Sequence, residues 1–258
     1  MNIYLSSSLN DNLEKVIEYA NSLQANIEIS RFGDINTLND NFDDVLEHFS
    51  KKLQNFQGDL SLHGFFLDLN PASQDPEIRA ITKHRYSQSF KIARTLKVKT
   101  VVFHSGYNGL VKHSAYENNF FEGQIVFWQD FIRQFEDEDI TATLENTYEG
   151  EPDTLIKIIE SVNSKNLKMC IDTGHVNINS GLSVVEWIER SGSLLKHVHL
   201  HNNFGDADDH KSFLEGTINF EEVLNRLAAS NLDLNLVLEI FNYQATLDSY
   251  NFLKKVWN

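Results

Sequence analysis

Cysteine is almost missing from this chain. The lone Cys170 excludes an intramolecular disulfide, and its apolar surroundings predict a small core residue inside a strand. Only 3 of the 258 residues are proline, and no Pro-rich or Gly/Ser-rich tract interrupts the pattern. The residues therefore predict one large core rather than two linked domains, with no repeat at solenoid spacing. No apolar run approaches the roughly 20 residues that a bilayer-spanning helix needs. The opening MNIYLSSSLNDN has neither a basic n-region nor a long apolar h-region, which predicts no signal peptide and a cytoplasmic location. Basic residues are scarce: 22 Lys and Arg stand against 37 Asp and Glu, for a net charge of −15. Phosphate-backbone binding needs a basic surface, so this balance argues against tight nucleic-acid binding.

What the chain does have is concentrated in Lys196 to His210, KHVHLHNNFGDADDH. Val198 and Leu200 alternate with His197, His199 and His201, the period-two signature of a strand. Imidazoles on one strand face, followed by Asp206, Asp208, Asp209 and His210, form the ligand set of zinc or manganese. A solvent-facing strand with a polar loop is the plainer reading of one such motif. The same event recurs along the chain, however, because short apolar runs keep ending in His, Asp or Glu.

The runs at Asn2–Leu5, Asn26–Phe32, Leu60–Phe66, Thr100–Phe103, Ile140–Leu144, Leu167–Ile171, His197–His201 and Leu234–Leu238 read as eight strands. Helical spacing fills the intervals. Asn12–Leu23 follows Asp11 as a possible N-cap, Phe42–Phe56 comes next, and Pro76 opens a helix to about Leu96. Further helices run over Asn118–Phe135, from Pro152, Ser183–Arg190, Phe220–Ala229 and Thr246–Trp257. Asp-Thr-Gly at 172–174 reads as turn chemistry. The acidic run Glu136–Asp139 reads as a solvated helix end. Eight strands alternating with eight helices predict an α/β fold, a single (β/α)8 TIM barrel over residues 1–258. An open doubly wound sheet would gather its ligand groups at one switch point. Here polar residues follow strands three to eight, and only a closed ring brings those ends to one mouth.

The candidate constellation is His63, His104, Glu145, Asp172 with His175, His199 with Asp208 and His210, and Glu239. Four carboxylates and five imidazoles, with few lysines or arginines nearby, would repel if gathered without compensating charge. One to three divalent ions, zinc or manganese, would supply it.

The stretches HGFFLDLNP, VVFHSG, TLENT, CIDTGHVN, HVHLHNN, DDHKSFLEGTINF and LVLEIF resemble motifs of the xylose-isomerase-like barrel superfamily, which includes sugar (phosphate) isomerases, epimerases and endonuclease IV. In the isomerase and epimerase branch, the resemblance implies one metal held by Glu145, Asp172, His199 and Glu239. Glu145 and Glu239 would double as the proton-transfer pair around a metal-stabilised enediolate, and His175 would contact substrate. In the endonuclease IV branch it implies a trinuclear zinc site that adds His63, His104, Asp208 and His210 to the same residues, with His175. The match is to His199 and Asp208, with His201 and Asp209 as the alternatives.

Two chemistries therefore compete for one site. A sugar or sugar-phosphate isomerase or epimerase would use the glutamate pair, with Arg31 and Lys211 the cations best placed to hold a phosphate. Each of these two could equally be a plain surface charge. A multinuclear-zinc phosphoester hydrolase would use the remaining ligands, although the net charge disfavours DNA as its substrate. A non-catalytic metal-binding barrel is the third reading, and the retained glutamates weigh against it. Phe65, Phe66, Tyr107, Phe120, Phe121 and Trp128 are candidates to line a sugar pocket, most of them expected in core or lid packing.

Overall fold

The computed structural model describes residues 2–30, 32 and 35–257. Its eight strands are β1 Asn2–Ser6, β2 Asn26–Ile29, β3 Leu60–His63, β4 Thr100–His104, β5 Thr141–Glu145, β6 Leu167–Asp172, β7 Leu195–Leu200 and β8 Asn235–Leu238. All pair in parallel in chain order, and β8 pairs back onto β1, closing the barrel. The helices among the described residues are α1 Leu13–Leu23, α2 Ile35–Asp40, α3 Phe42–Leu53, α4 Pro76–Leu96, α5 Ser114–Ile132, α6 Asp153–Val162, α7 Thr173–Asn179, α8 Val184–Ser191, α9 Phe220–Ala229 and α10 Tyr243–Trp257.

Period-two alternation divides each strand between two environments. Leu5, Ile27, Ile29, Leu62, Phe103, Leu144, Ile171, Val198 and Leu236 are buried in the apolar layer between barrel and helices. There Phe103 packs on Tyr86 and Trp128 at ring distances of 4.2 and 5.6 Å. Each fully buried side chain of this size contributes roughly 1.5–3 kcal/mol. The alternate positions face the barrel axis and are mostly polar, with Val102, Cys170 and Val237 the apolar members. Asn235 donates to Thr100 at 3.0 Å across the barrel, and Ser61 donates to Glu28 at 2.9 Å. The interior thus carries a column of hydrogen-bonding groups beneath the C-terminal mouth. No helix of the described residues is long and apolar enough to cross a membrane.

Several boundaries differ from those predicted. The cap of α1 is Asn12, whose side chain accepts from the Glu14 amide at 2.9 Å, rather than Asp11. Strand β3 stops at His63 rather than Phe66, and β2 at Ile29 rather than Phe32, because the chain turns at the mouth as soon as neighbouring strands stop pairing. Helices α2 and α7 were not anticipated. The segment Thr173–Asn179 is a short helix rather than a turn, because the Asp172 carboxylate caps it by accepting the His175 amide at 2.7 Å. Helix α5 starts at Ser114, four residues before Asn118, with His113 as its cap, and Arg133–Phe135 form a separate 3-10 turn.

Candidate metal centre

Glu145, the last residue of β5, is the hub of the mouth. One carboxylate oxygen, Oε2, lies 3.4 Å from His63 Nε2 and 3.5 Å from His104 Nε2. The other, Oε1, lies 3.4 Å from His175 Nδ1 and 3.5 Å from His199 Nδ1. His199 Nδ1 in turn sits 3.2 Å from Glu239 and 3.8 Å from Asp172. The outer rim is Asp208, 3.4 Å from His175 Nε2 and 3.1 Å from His210 Nε2. All nine residues of the predicted constellation therefore meet at one place. The C-terminal strand ends of a closed barrel bring groups this far apart in sequence to one mouth.

The imidazoles are oriented from behind. The Nδ1 atoms of His63, His175 and His210 lie 3.0, 2.9 and 2.8 Å from the carbonyl oxygens of Gly64, Asn146 and Glu239. A ring nitrogen facing a carbonyl must donate, which directs each Nε2 at the carboxylates. That is how ligating histidines are held by their outer partners. The fit to a divalent cation rests on this arrangement and on orphaned atoms. Glu145 Oε2 and both ring nitrogens of His199 are buried and make no aligned hydrogen bond. Such atoms are costly unless something completes their bonding. Sets such as Asp172–His199–Glu239, His63–Glu145–His199 and His201–His210–Glu239 each bring ligand atoms within 4.8 Å of one another.

Burial alone would raise the Glu145 carboxyl, but His104 and His199 outweigh it and hold it well below the usual range. Burial likewise opposes the charge on Asp172, which His175 and His201 depress. Burial would neutralise His199, yet Glu239, Glu28 and Glu145 keep it well above its ordinary value, as Asp172 and Asp208 do for His175. His210 resists burial through Asp208 and is raised to about 9, whereas burial pushes His104 down to about 3. Among the described residues, no lysine or arginine forms an ion pair with Glu145, Asp172, Asp208 or Glu239. Charge compensation therefore falls to protonated imidazoles or to a cation that replaces their protons.

The remaining predicted residues sort as follows. His201 is at the site together with His199 rather than instead of it. Its Nε2 is 3.0 Å from Asp172, and its ring stacks on His210 at 4.0 Å. Asp208 faces the centre, whereas Asp209 lies 4.0 Å from Lys211. The Lys211 ammonium is 3.1 Å from Glu215 and does not line the mouth. Arg31 lies outside the described residues. Phe66 stacks on His104 at 4.3 Å beside the mouth, while Phe65, Phe120 and Trp128 are core. Two contributors were missed. Phe241 stacks on His210 at 4.2 Å on the opposite side, and Glu28 reaches His197 and His199 from below. Glu28 is the one acid of the alternating strand NIEI, a pattern that an ordinary half-polar strand also shows.

The centre opens into a cavity of about 340 Å³ floored by Glu145 and Glu239 and flanked by Phe66 and Phe241. A cleft of about 730 Å³ adjoins it across His104, His175 and Asp208, with Tyr107, Tyr148 and Asn179 on its far wall. Close packing guards the arrangement at Gly174, where a Cβ would stand 2.0 Å from the His201 ring. Gly174→Ala is expected to push His201 off Asp172 and cost roughly 1–3 kcal/mol of overpacking strain, read as a lower denaturant midpoint at unchanged slope.

A parallel eight-stranded barrel with acids and imidazoles gathered at its C-terminal face defines the class, a (β/α)8 protein with a candidate metal centre. Within that class the chain belongs to the xylose isomerase-like TIM barrel family, whose model matches residues 25–256. The uncharacterized protein MJ1311 of Methanocaldococcus jannaschii is 30% identical over 207 residues, covering 78% of this chain and 70% of that protein. Among solved structures, a D-tagatose 3-epimerase-like protein superposes with a TM-score of 0.84 at 26% identity, covering 100% of this chain and 97% of its own. The TTHB071 protein of Thermus thermophilus, soaked with ZnCl2, does so with a TM-score of 0.82 at 23% identity, covering 99% and 98%.

Proposed function

We propose that the chain is a sugar isomerase or epimerase that uses a divalent cation, zinc or manganese. The observation that carries this reading is the pair Glu145 and Glu239, set 3.5 and 3.2 Å from the same His199 nitrogen. Two carboxylates flanking one ligand position suit proton removal and proton return on one substrate. The similarity to a D-tagatose 3-epimerase-like protein supports the same class.

Glu145, Asp172, His199 and Glu239 would hold the ion, which when bound polarises a carbonyl and its neighbouring hydroxyl and lowers the cost of negative charge on them. Glu145, held ionised, is suited to take the proton from the carbon beside the carbonyl, and the C–H electron pair passes toward the carbonyl oxygen. Glu239 takes a proton from solvent and delivers it to the opposite face or to the adjacent carbon, and Glu145 gives its own proton up to solvent before the next turnover. His175 offers a ring nitrogen to a substrate hydroxyl, and Phe66 and Phe241 present apolar faces to the sugar C–H groups. Arg31, the sequence's candidate for a phosphate, lies outside the described residues, and Lys211 is engaged with Glu215.

A second reading has its own observation. His63 and His104 converge on Glu145 Oε2, and Asp208 pairs with His210, four groups a one-ion scheme leaves idle. Two or three ions held there would suit phosphoester hydrolysis. The test is solvent exchange: ketohexoses and their phosphates incubated with manganese- or zinc-loaded protein in deuterated water. The expected result is deuterium at the carbon beside the carbonyl together with a new epimer or isomer. No exchange with any ketose, alongside cleavage of phosphate esters, would put hydrolysis first.

A further inference from the structure

We propose that Glu28 is the positioning residue for His199, clamping its ring from beneath so that Nδ1, and not Nε2, faces the metal-binding carboxylates. This rests on the reading of the mouth as a metal centre and assigns work to a residue outside the ligand set.

Glu28 lies on β2, and its carboxylate reaches across the barrel axis to two imidazoles of β7. Oε2 accepts from Ser61 Oγ at 2.9 Å and lies 2.8 Å from His197 Nε2. Oε1 lies 2.9 Å from His199 Nε2, a close charge contact without hydrogen-bond alignment. Glu28 is 1% exposed and both imidazoles are fully buried. An acid in such a place needs a use for both oxygens, and these contacts supply it. Glu28, His197 and His199 also bring ligand atoms within 4.8 Å of one another. Neither the cavity nor the cleft at the mouth reaches Glu28, and Ser61 and His197 occupy its Oε2, so the trio is a support rather than a second ion site.

The geometry explains which nitrogen of His199 points upward. With Nε2 held 2.9 Å from Glu28, Nδ1 is left 3.2 Å from Glu239, 3.5 Å from Glu145 and 3.8 Å from Asp172. His197 meets His199 edge to face at 5.2 Å and fixes the other side of the Glu28 carboxylate. His63, His175 and His210 are anchored by hydrogen bonds to main-chain carbonyls, whereas His199 lies in close contact with a carboxylate. A carboxylate behind a ligating imidazole fixes its tautomer and strengthens it as a donor.

The test compares full-length wild type, Glu28→Gln and Ser61→Ala. Zinc affinity is measured by chelator competition, the absorption spectrum with cobalt in place of zinc, and the melting temperature after metal stripping. Glu28→Gln is expected to lose roughly 10- to 100-fold in affinity with altered cobalt bands. Ser61→Ala, which frees one oxygen of the clamp, is expected to show a smaller loss in the same direction. A purely structural role would lower the stripped protein's melting temperature and leave affinity and spectrum alone. Affinity within twofold of wild type and unchanged cobalt bands in Glu28→Gln would overturn the proposal while the metal-centre reading stands. Should Glu28→Gln fail to fold, unchanged affinity in Ser61→Ala overturns it instead. A wild type that takes up no divalent ion overturns both.

Discussion

Glu145→Gln and Glu239→Gln should each lower ketose turnover by roughly 100- to 10,000-fold, the range that a positioned general acid or base supplies. The two variants should differ in a second measurement. Glu145 is 1% exposed and faces four imidazoles, so its amide analogue removes the charge that holds His63, His104, His175 and His199 around one point. Metal affinity should fall with activity. Glu239 is 9% exposed and touches only His199 among them, so its variant should keep more of the ion while losing the chemistry. Gln is the substitution of choice because it keeps the side-chain volume and one acceptor oxygen at the hub, whereas Glu145→Ala would also open a cavity there. Circular dichroism establishes that each variant folds, and initial rates with a metal titration separate affinity from turnover. Full activity in either variant would remove that residue from proton transfer.

The barrel was legible because alternation and helical spacing report environments directly. HVHLH puts His197, His199 and His201 on one face, and that face is the barrel interior, while Val198 and Leu200 are buried in the apolar layer outside it. The recurrence of His, Asp or Glu at successive strand ends then carried the site, because a closed ring converts separate ends into neighbours. What stayed hidden depended on information that local pattern does not hold. Glu28 sits in a four-residue strand whose alternation fits an ordinary half-polar strand equally well. Its meaning appears only when Ser61 and His197 from other strands close around it. Helix α7 has seven residues, too few for periodicity, and its start depends on one carboxylate that is also a candidate ligand. The choice between His199 and His201 was posed as exclusive. In the barrel, two residues apart on one strand means two levels of the same interior, so both imidazoles reach Asp172.

Removing the metal should expose the same network through protons. In the protein without a cation, Glu145, Asp172 and Asp208 hold His199, His175 and His210 protonated near neutral pH. A metal ligand must be neutral imidazole, so binding should release roughly one to three protons, read by calorimetry in buffers of different ionisation enthalpy. Stability should follow opposite trends with pH. For His210 the folded value is raised from 6.5 to about 9. The stripped protein therefore has that contribution in full below about pH 6.5 and loses it as pH rises through about 9. The loaded protein binds its ion more tightly over the same interval, because fewer protons compete. At 100-fold excess over Kd the ion adds about 2.7 kcal/mol. For a chain of this size that is a rise in melting temperature of roughly 5–10 °C. The gap between loaded and stripped melting temperatures should widen from pH 6.5 to 9, and a constant gap would mean that these imidazoles are not ligands. Elemental stoichiometry on the same samples separates the two chemistries. One ion per chain fits Glu145, Asp172, His199 and Glu239 acting on a ketose. Two or three would require His63, His104, Asp208 and His210 as ligands and would move phosphate esters ahead of sugars.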